Sequence, residues 1–191
     1  LSIIHEQQGE NSMSSLATII KVGKFSKLSI LECFTNKTDA ANETFESTFI
    51  KVEESANFEH VKCLFEGETS IHTGNISANI EKHARFHSFI YALGNKLSRN
   101  DITANLNGED AFCGINGLYT LKGEEHCDIF SNIHHHKPKT FSEQLYKGIL
   151  DNNSRGVFTG KVVIERDAIE SEAAQLNKNV LLSKKAHVNT R

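Results

Sequence analysis

Tryptophan is absent from this 191-residue chain, and proline and methionine each occur once. Charge of one sign is lacking as well: 21 basic against 24 acidic side chains leave a net charge of −3 and a pI near 6.4. That balance gives no electrostatic footprint for nucleic acid or for an anionic membrane surface. No run approaches the roughly 18 consecutive apolar residues of a spanning helix, and the N-terminus has no basic-then-apolar signal pattern. Together these absences imply a soluble, cytoplasmic chain. Catalytic signatures are also missing: there is no Gly-x-Ser-x-Gly elbow, and His5-Glu6 lacks the second histidine of a metalloprotease helix. Gly156 to Lys161 has three residues between its glycines where a phosphate-binding loop has four, and Val162 stands in place of the required hydroxyl. A turn over Asp151 to Gly156 joining two strands explains that stretch without a ligand.

What is present favours strands. Hydrophobic content of 38% and charged content of 24% are ordinary globular values, so a packed fold is expected, and one domain over 1–191 is the simplest reading of the length. Twelve phenylalanines accompany many Val, Ile and Thr residues. Short alternating segments recur between Asn, Gly, Asp and Ser turns, as at Leu28–Ile30, Ile102–Leu106, Cys127–Ile133 and Val157–Ile164. Helical periodicity is confined to two weak candidates, Ser12–Ile20 and Asp167–Gln175. The chain begins at Leu1 and stops at Arg191 straight after a strand-like segment, which suggests a fragment at both ends.

The repeats are more informative than any single strand. Polar turns ending in alanine recur at Ala56, Ala84, Ala111, Ala168 and Ala186, spaced by 28, 27, 57 and 18 positions, with 57 close to two of the earlier intervals. Seven positions after Ala56 lies Cys63, and seven after Ser26 lies Cys33, so the two cysteines share one register. Stacked coils would bring them together. Repeats of this length built from short strands indicate a β-solenoid, with a sandwich or jelly roll as the competing architecture.

The cysteines at 33, 63, 113 and 127 are separated by 30, 50 and 14 positions with no Cys-x-x-Cys pair, unlike a zinc or iron–sulfur ligand set. Cys33, Cys63 and Cys113 sit in apolar or alternating runs and are expected in the core. The most metal-like run is His126-Cys127-Asp128 followed by His134, His135 and His136. Strand alternation lets at most His134 and His136 share a face. A metal- or carbohydrate-handling enzyme using His126, Cys127, His134 and His136 is therefore one alternative, against a solvated strand end that carries histidines by chance. Four sequons, at Asn36, Asn42, Asn75 and Asn152, supply another alternative, a secreted adhesin-like solenoid.

One ordered stretch shifts the weighing. Thr140-Phe-Ser-Glu-Gln-Leu-Tyr-Lys-Gly-Ile-Leu150 is followed by Ser154-Arg-Gly-Val-Phe-Thr-Gly-Lys-Val-Val-Ile164 and then by Gln175, Asn177-Lys-Asn-Val-Leu-Leu-Ser183. This combination resembles the SufB/SufD family signature, through Ser142, Gln144, Lys147, Arg155, Phe158, Gly160, Asn177 and Asn179 as structural motif positions. Asn179-Val-Leu-Leu-Ser183, with Leu106 to Asp110 and His126 to Asp128 more loosely, is similar to the SufD branch. The resemblance implies an all-β, right-handed parallel β-helix with few or no helices. It also implies a non-catalytic scaffold that pairs with a SufB-like subunit or with a second copy of itself. The wider complex would handle the iron–sulfur cluster, and a SufC-like ATPase would bind helices beyond Arg191. No catalytic, cofactor-binding or metal residue is carried onto this chain.

Overall fold

A computed structural model describes residues 1–37 and 40–191. Thr38, which completes the sequon at Asn36, lies outside them. The described residues form fourteen strands and no helix. In chain order they are β1 (Ser2–Gln7), β2 (Met13–Val22), β3 (Lys27–Asn36), β4 (Glu43–Val52), β5 (Asn57–Phe65), β6 (Ile71–Ile80) and β7 (Arg85–Leu93). They continue as β8 (Leu97–Leu106), β9 (Phe112–Leu121), β10 (His126–His135), β11 (Phe141–Leu150), β12 (Arg155–Ile164), β13 (Glu172–Leu181) and β14 (His187–Thr190). Both weak helix candidates fail. Ser12–Ile20 is almost entirely strand β2, and Asp167–Gln175 is a corner running into β13. Alternating burial along β2 fits the pleat better than it fits a helical stripe.

Odd strands stack into one seven-stranded sheet and even strands into another, every observed pairing being parallel. The chain therefore winds as a β-solenoid in which each coil gives one strand to each sheet. Coil length runs from 26 residues, where Ile71 lies opposite Leu97, to 32, where Arg155 lies opposite His187. Parallel strands cannot be joined by a hairpin. The long crossover they need is supplied by the strand on the opposite face.

Alternation in each strand fills the space between the sheets. In β4, Thr44, Glu46, Thr48, Ile50 and Val52 are buried while Phe45, Phe49 and Lys51 are exposed. Inward Ile50, Ile76, Ile102 and Ile129 from one sheet share a core with Phe58 and Phe86 from the other, Ile76 and Ile102 stacking in register and the two phenyl rings stacking at 5.8 Å. Neighbouring coils thus cover one another's apolar residues, at about 25 cal/mol per Å² buried.

The alanine repeat marks a corner. Phe25, Ser55, His83, Asp110, Lys139 and Glu170 all adopt positive φ, between 55° and 59°, directly before Ser26, Ala56, Ala84, Ala111, Thr140 and Ser171. Ala56, Ala84 and Ala111 are at most 1% exposed, because the chain there turns inward beneath the next coil. Each left-handed residue costs roughly 1–2 kcal/mol. The corner amides offset this by continuing the ladder from coil to coil, with Ser55 N donating to Lys82 O at 2.9 Å and His83 N to Glu109 O at 3.0 Å. Ala186 belongs to the opposite corner, between β13 and β14, which accounts for the odd spacing of 18.

Candidate functional site

The motif residues divide by strand phase. Ser142, Gln144, Phe158, Gly160, Asn177 and Asn179 occupy inward positions, whereas Lys147 and Arg155 face outward. Ser131 Oγ donates to Gln144 Oε1 at 2.5 Å, and Gln144 Nε2 reaches Gln175 Oε1 on the next coil at 3.4 Å. Tyr119 OH donates to Asn179 Oδ1 at 2.5 Å, and Asn179 in turn hydrogen-bonds Asn177. Burial, with the neighbouring Cys127, pushes the Tyr119 phenol up to about 12, so it stays a donor. Glycine makes this packing possible. A Cβ on Gly148 would lie 2.3 Å from both Asn179 Oδ1 and the Tyr119 ring, and one on Gly160 would lie 2.4 Å from the Gln175 amide. The conspicuous motif is therefore a ladder of amides with a buried aromatic, fitted into the last coils.

The histidine run is split between faces. His134 and His136 stack at 5.7 Å, as alternation requires. His135 points inward, where Nδ1 pairs with Thr140 Oγ1 at 2.7 Å and Nε2 with Ser142 Oγ at 2.9 Å. Burial, followed by the nearby His136, lowers its pKa to about 4. Cys127 is buried inside and His126 lies on the outer face, so His126, Cys127, His134 and His136 do not converge. Among the described residues no group of three or more His, Cys, Asp or Glu side chains is placed to hold a metal ion.

A second interior site escaped the sequence reading. Glu32, Glu46, His60, Lys62, Glu66 and His72 are all buried between the sheets of the first coils. Glu32 takes hydrogen bonds from His5 Nε2 at 2.9 Å and His60 Nε2 at 3.0 Å. The Lys62 ammonium, 0% exposed, pairs with Glu46, donates to Asn100 Oδ1 at 3.0 Å and lies 5.2 Å from the centre of the Phe34 ring. Gly74 leaves room for it, since a Cβ there would meet the Lys62 Nζ at 2.5 Å. Glu66 accepts from Asn95 Nδ2 at 2.9 Å and sits 2.9 Å from His72 Nδ1. Burial pushes the Glu32 carboxyl up, but the hydrogen bonds from His60 and His5, with the charges of His60 and Lys62, outweigh it and hold the group at about 2. Burial and then Lys62 lower His72 against the pull of Glu66. The cluster reaches a cavity of about 420 Å³ at the β1 and β2 end, lined by His5, Gln7, Phe34, Thr44 and Glu66 among others. Its signal in the sequence was phase: His60 and Lys62 alternate with Phe58 and Leu64 on one face of β5.

The outer faces also differ. On the odd-numbered sheet, Leu31, Val61, Phe89, Leu145 and Leu176 fall in one register row, with Phe65, Leu93, Ile149 and Val180 in another. All are more than a third exposed. The outer face of β6 and β8 carries mostly Thr, Asn, Ser, Arg and Asp.

A stacked parallel β-solenoid is what the family signature implied, and comparison with known sequences settles the relationship. The profile of the SufBD core domain, of the SUF system for iron–sulfur cluster assembly, matches residues 4–191. The chain belongs to the SufBD core-domain family. Its SufBD core is 30% identical to the iron–sulfur cluster assembly protein SufD of Escherichia coli over 162 residues, 85% of this chain and 38% of that one. It is 31% identical to an iron–sulfur cluster assembly SufBD family protein of Synechocystis over 138 residues, 72% of this chain and 30% of that one. Against the SufD of Plasmodium falciparum it is 24% identical over 181 residues, 93% of this chain and 12% of that protein. The chain thus spans less than half the length of these SufBD relatives. No helix among the described residues is long and apolar enough to cross a membrane.

Proposed function

We propose that this SufBD core serves as a non-catalytic scaffold in a cytoplasmic iron–sulfur cluster assembly complex, acting by pairing with a SufB-like β-helix. The observation that carries the reading, beside the family match, is the apolar outer face of the odd-numbered sheet. Leu31, Val61, Phe89, Leu145 and Leu176 lie in one register row, interrupted by Asn116, each more than a third exposed, and large exposed apolar patches mark protein–protein contact surfaces. Burying such a row against a second β-helix supplies affinity at about 25 cal/mol per Å². The cluster is cargo of the complex on this reading, and a SufC-like ATPase engages parts of the longer protein outside these residues. Pairing with a second copy is the same chemistry with a different partner.

Size-exclusion chromatography with light scattering, run with and without a SufB-like β-helix, tests this. A one-to-one complex is expected. It should be lost in Phe89→Lys, which places a charge in the middle of the apolar row, while the melting transition stays unchanged. A monomer indifferent to the partner contradicts the proposal.

A further inference from the structure

Cys33 and Cys63 lie directly opposite each other on β3 and β5. Their neighbours Glu32, Phe34, Lys62 and Leu64 are buried, so both thiols project from the same outer face. Both are free, Cys33 half-buried and Cys63 9% exposed, and they are direct register partners on adjacent strands. Adjacent strands are about 4.8 Å apart, inside the Cα separation of roughly 4.4–6.8 Å that a disulfide spans. Cys113 and Cys127 point into the core on β9 and β10. The chain therefore holds one accessible thiol with a second beside it, and two that are enclosed.

We propose that Cys33 and Cys63 form a redox-active dithiol that exchanges with low-molecular-weight disulfides and closes into a reversible bond between adjacent coils. Cys33, the more exposed, attacks one sulfur of the small disulfide and forms a mixed disulfide, releasing one small thiol. The Cys63 sulfur then attacks that of Cys33, forming the protein disulfide and expelling the second small thiol. One disulfide is consumed and one formed, and the two cysteine protons leave with the two small thiols. The order follows from the surroundings. Burial, and then the adjacent Cys33, push the Cys63 thiol up to about 11, so it is the poorer first attacker but is already in place for the second step. A bond between neighbouring parallel strands is constrained by the ladder, which favours ready reduction. The inference does not depend on pairing with a SufB-like partner.

The test is incubation of the chain with glutathione disulfide at mildly alkaline pH, followed by intact-mass and peptide mapping. Two of the four thiols should be lost without retained glutathione, tryptic peptides 28–37 and 63–82 should be joined, and dithiothreitol should restore them. In Cys63→Ser the reaction should stop with one glutathione held on Cys33, and in Cys33→Ser thiol loss should slow by about tenfold or more. Glutathione retained on Cys33 in the unsubstituted chain would overturn the proposal, as would a disulfide involving Cys113 or Cys127. The peptide map of the unsubstituted chain decides the matter even if a variant folds poorly.

Discussion

Lys62 shows how a single side chain can organise the interior. Its ammonium is enclosed between the sheets and held by Glu46 and Asn100. Removing it strands a buried carboxylate, so Lys62→Met should cost about 3–5 kcal/mol in urea unfolding. Replacing Glu46 with Leu in the same chain should recover most of that loss, because no uncompensated charge remains. A double substitution no more stable than the single one would show that the pair is not the unit of stability. Titration at the same scale has a definite sign. His135 and His72 have lowered pKa values in the fold, so the unfolded chain binds more protons below pH 6.5. Stability should fall as pH drops from 6.5 toward 4. Glu32, held at about 2, adds a second loss as pH falls from about 4.5 toward 2. Thermal melts across this range check both steps, and His135→Gln should flatten the first.

At the scale of the element, register is fixed by large residues set against small ones. Tyr119 occupies the space that Gly148 leaves on the next strand, and Tyr146 the space beside Gly117. Gly148→Ala should therefore destabilise by about 1–3 kcal/mol by calorimetry, and Tyr119→Leu in the same chain should relieve part of that, the clash with Asn179 remaining. Strand phase was legible in the sequence because alternation repeats every two residues, and the register of Cys33 with Cys63 followed from counting from Ser26 and Ala56. What the strand carries outward was harder to read. Cys33 and Cys63 sit in apolar runs yet face out of the sheet, because the outer face of β3 and β5 is itself apolar at Leu31, Val61 and Phe65. When both faces are apolar, composition no longer distinguishes inside from outside. Cys113, on the inward phase of β9, is in the core as expected.

For the whole molecule, the alanine corners indicated coils before any strand pairing was known, and the family signature at Ser142 to Asn179 named the architecture. The ionised interior of the early coils was not legible. Glu46 and Lys62 are 16 positions apart and meet only because β4 and β5 face each other across the core. The functional claim rests on the apolar outer rows of the odd-numbered sheet meeting a second β-helix. Hydrogen–deuterium exchange of the chain, alone and mixed with a SufB-like β-helix, tests this most directly. Slowed exchange centred on the odd-numbered strands β5, β7, β9 and β11, with β6 and β8 unaffected, is predicted. Protection centred elsewhere, or none at saturating partner, would contradict it.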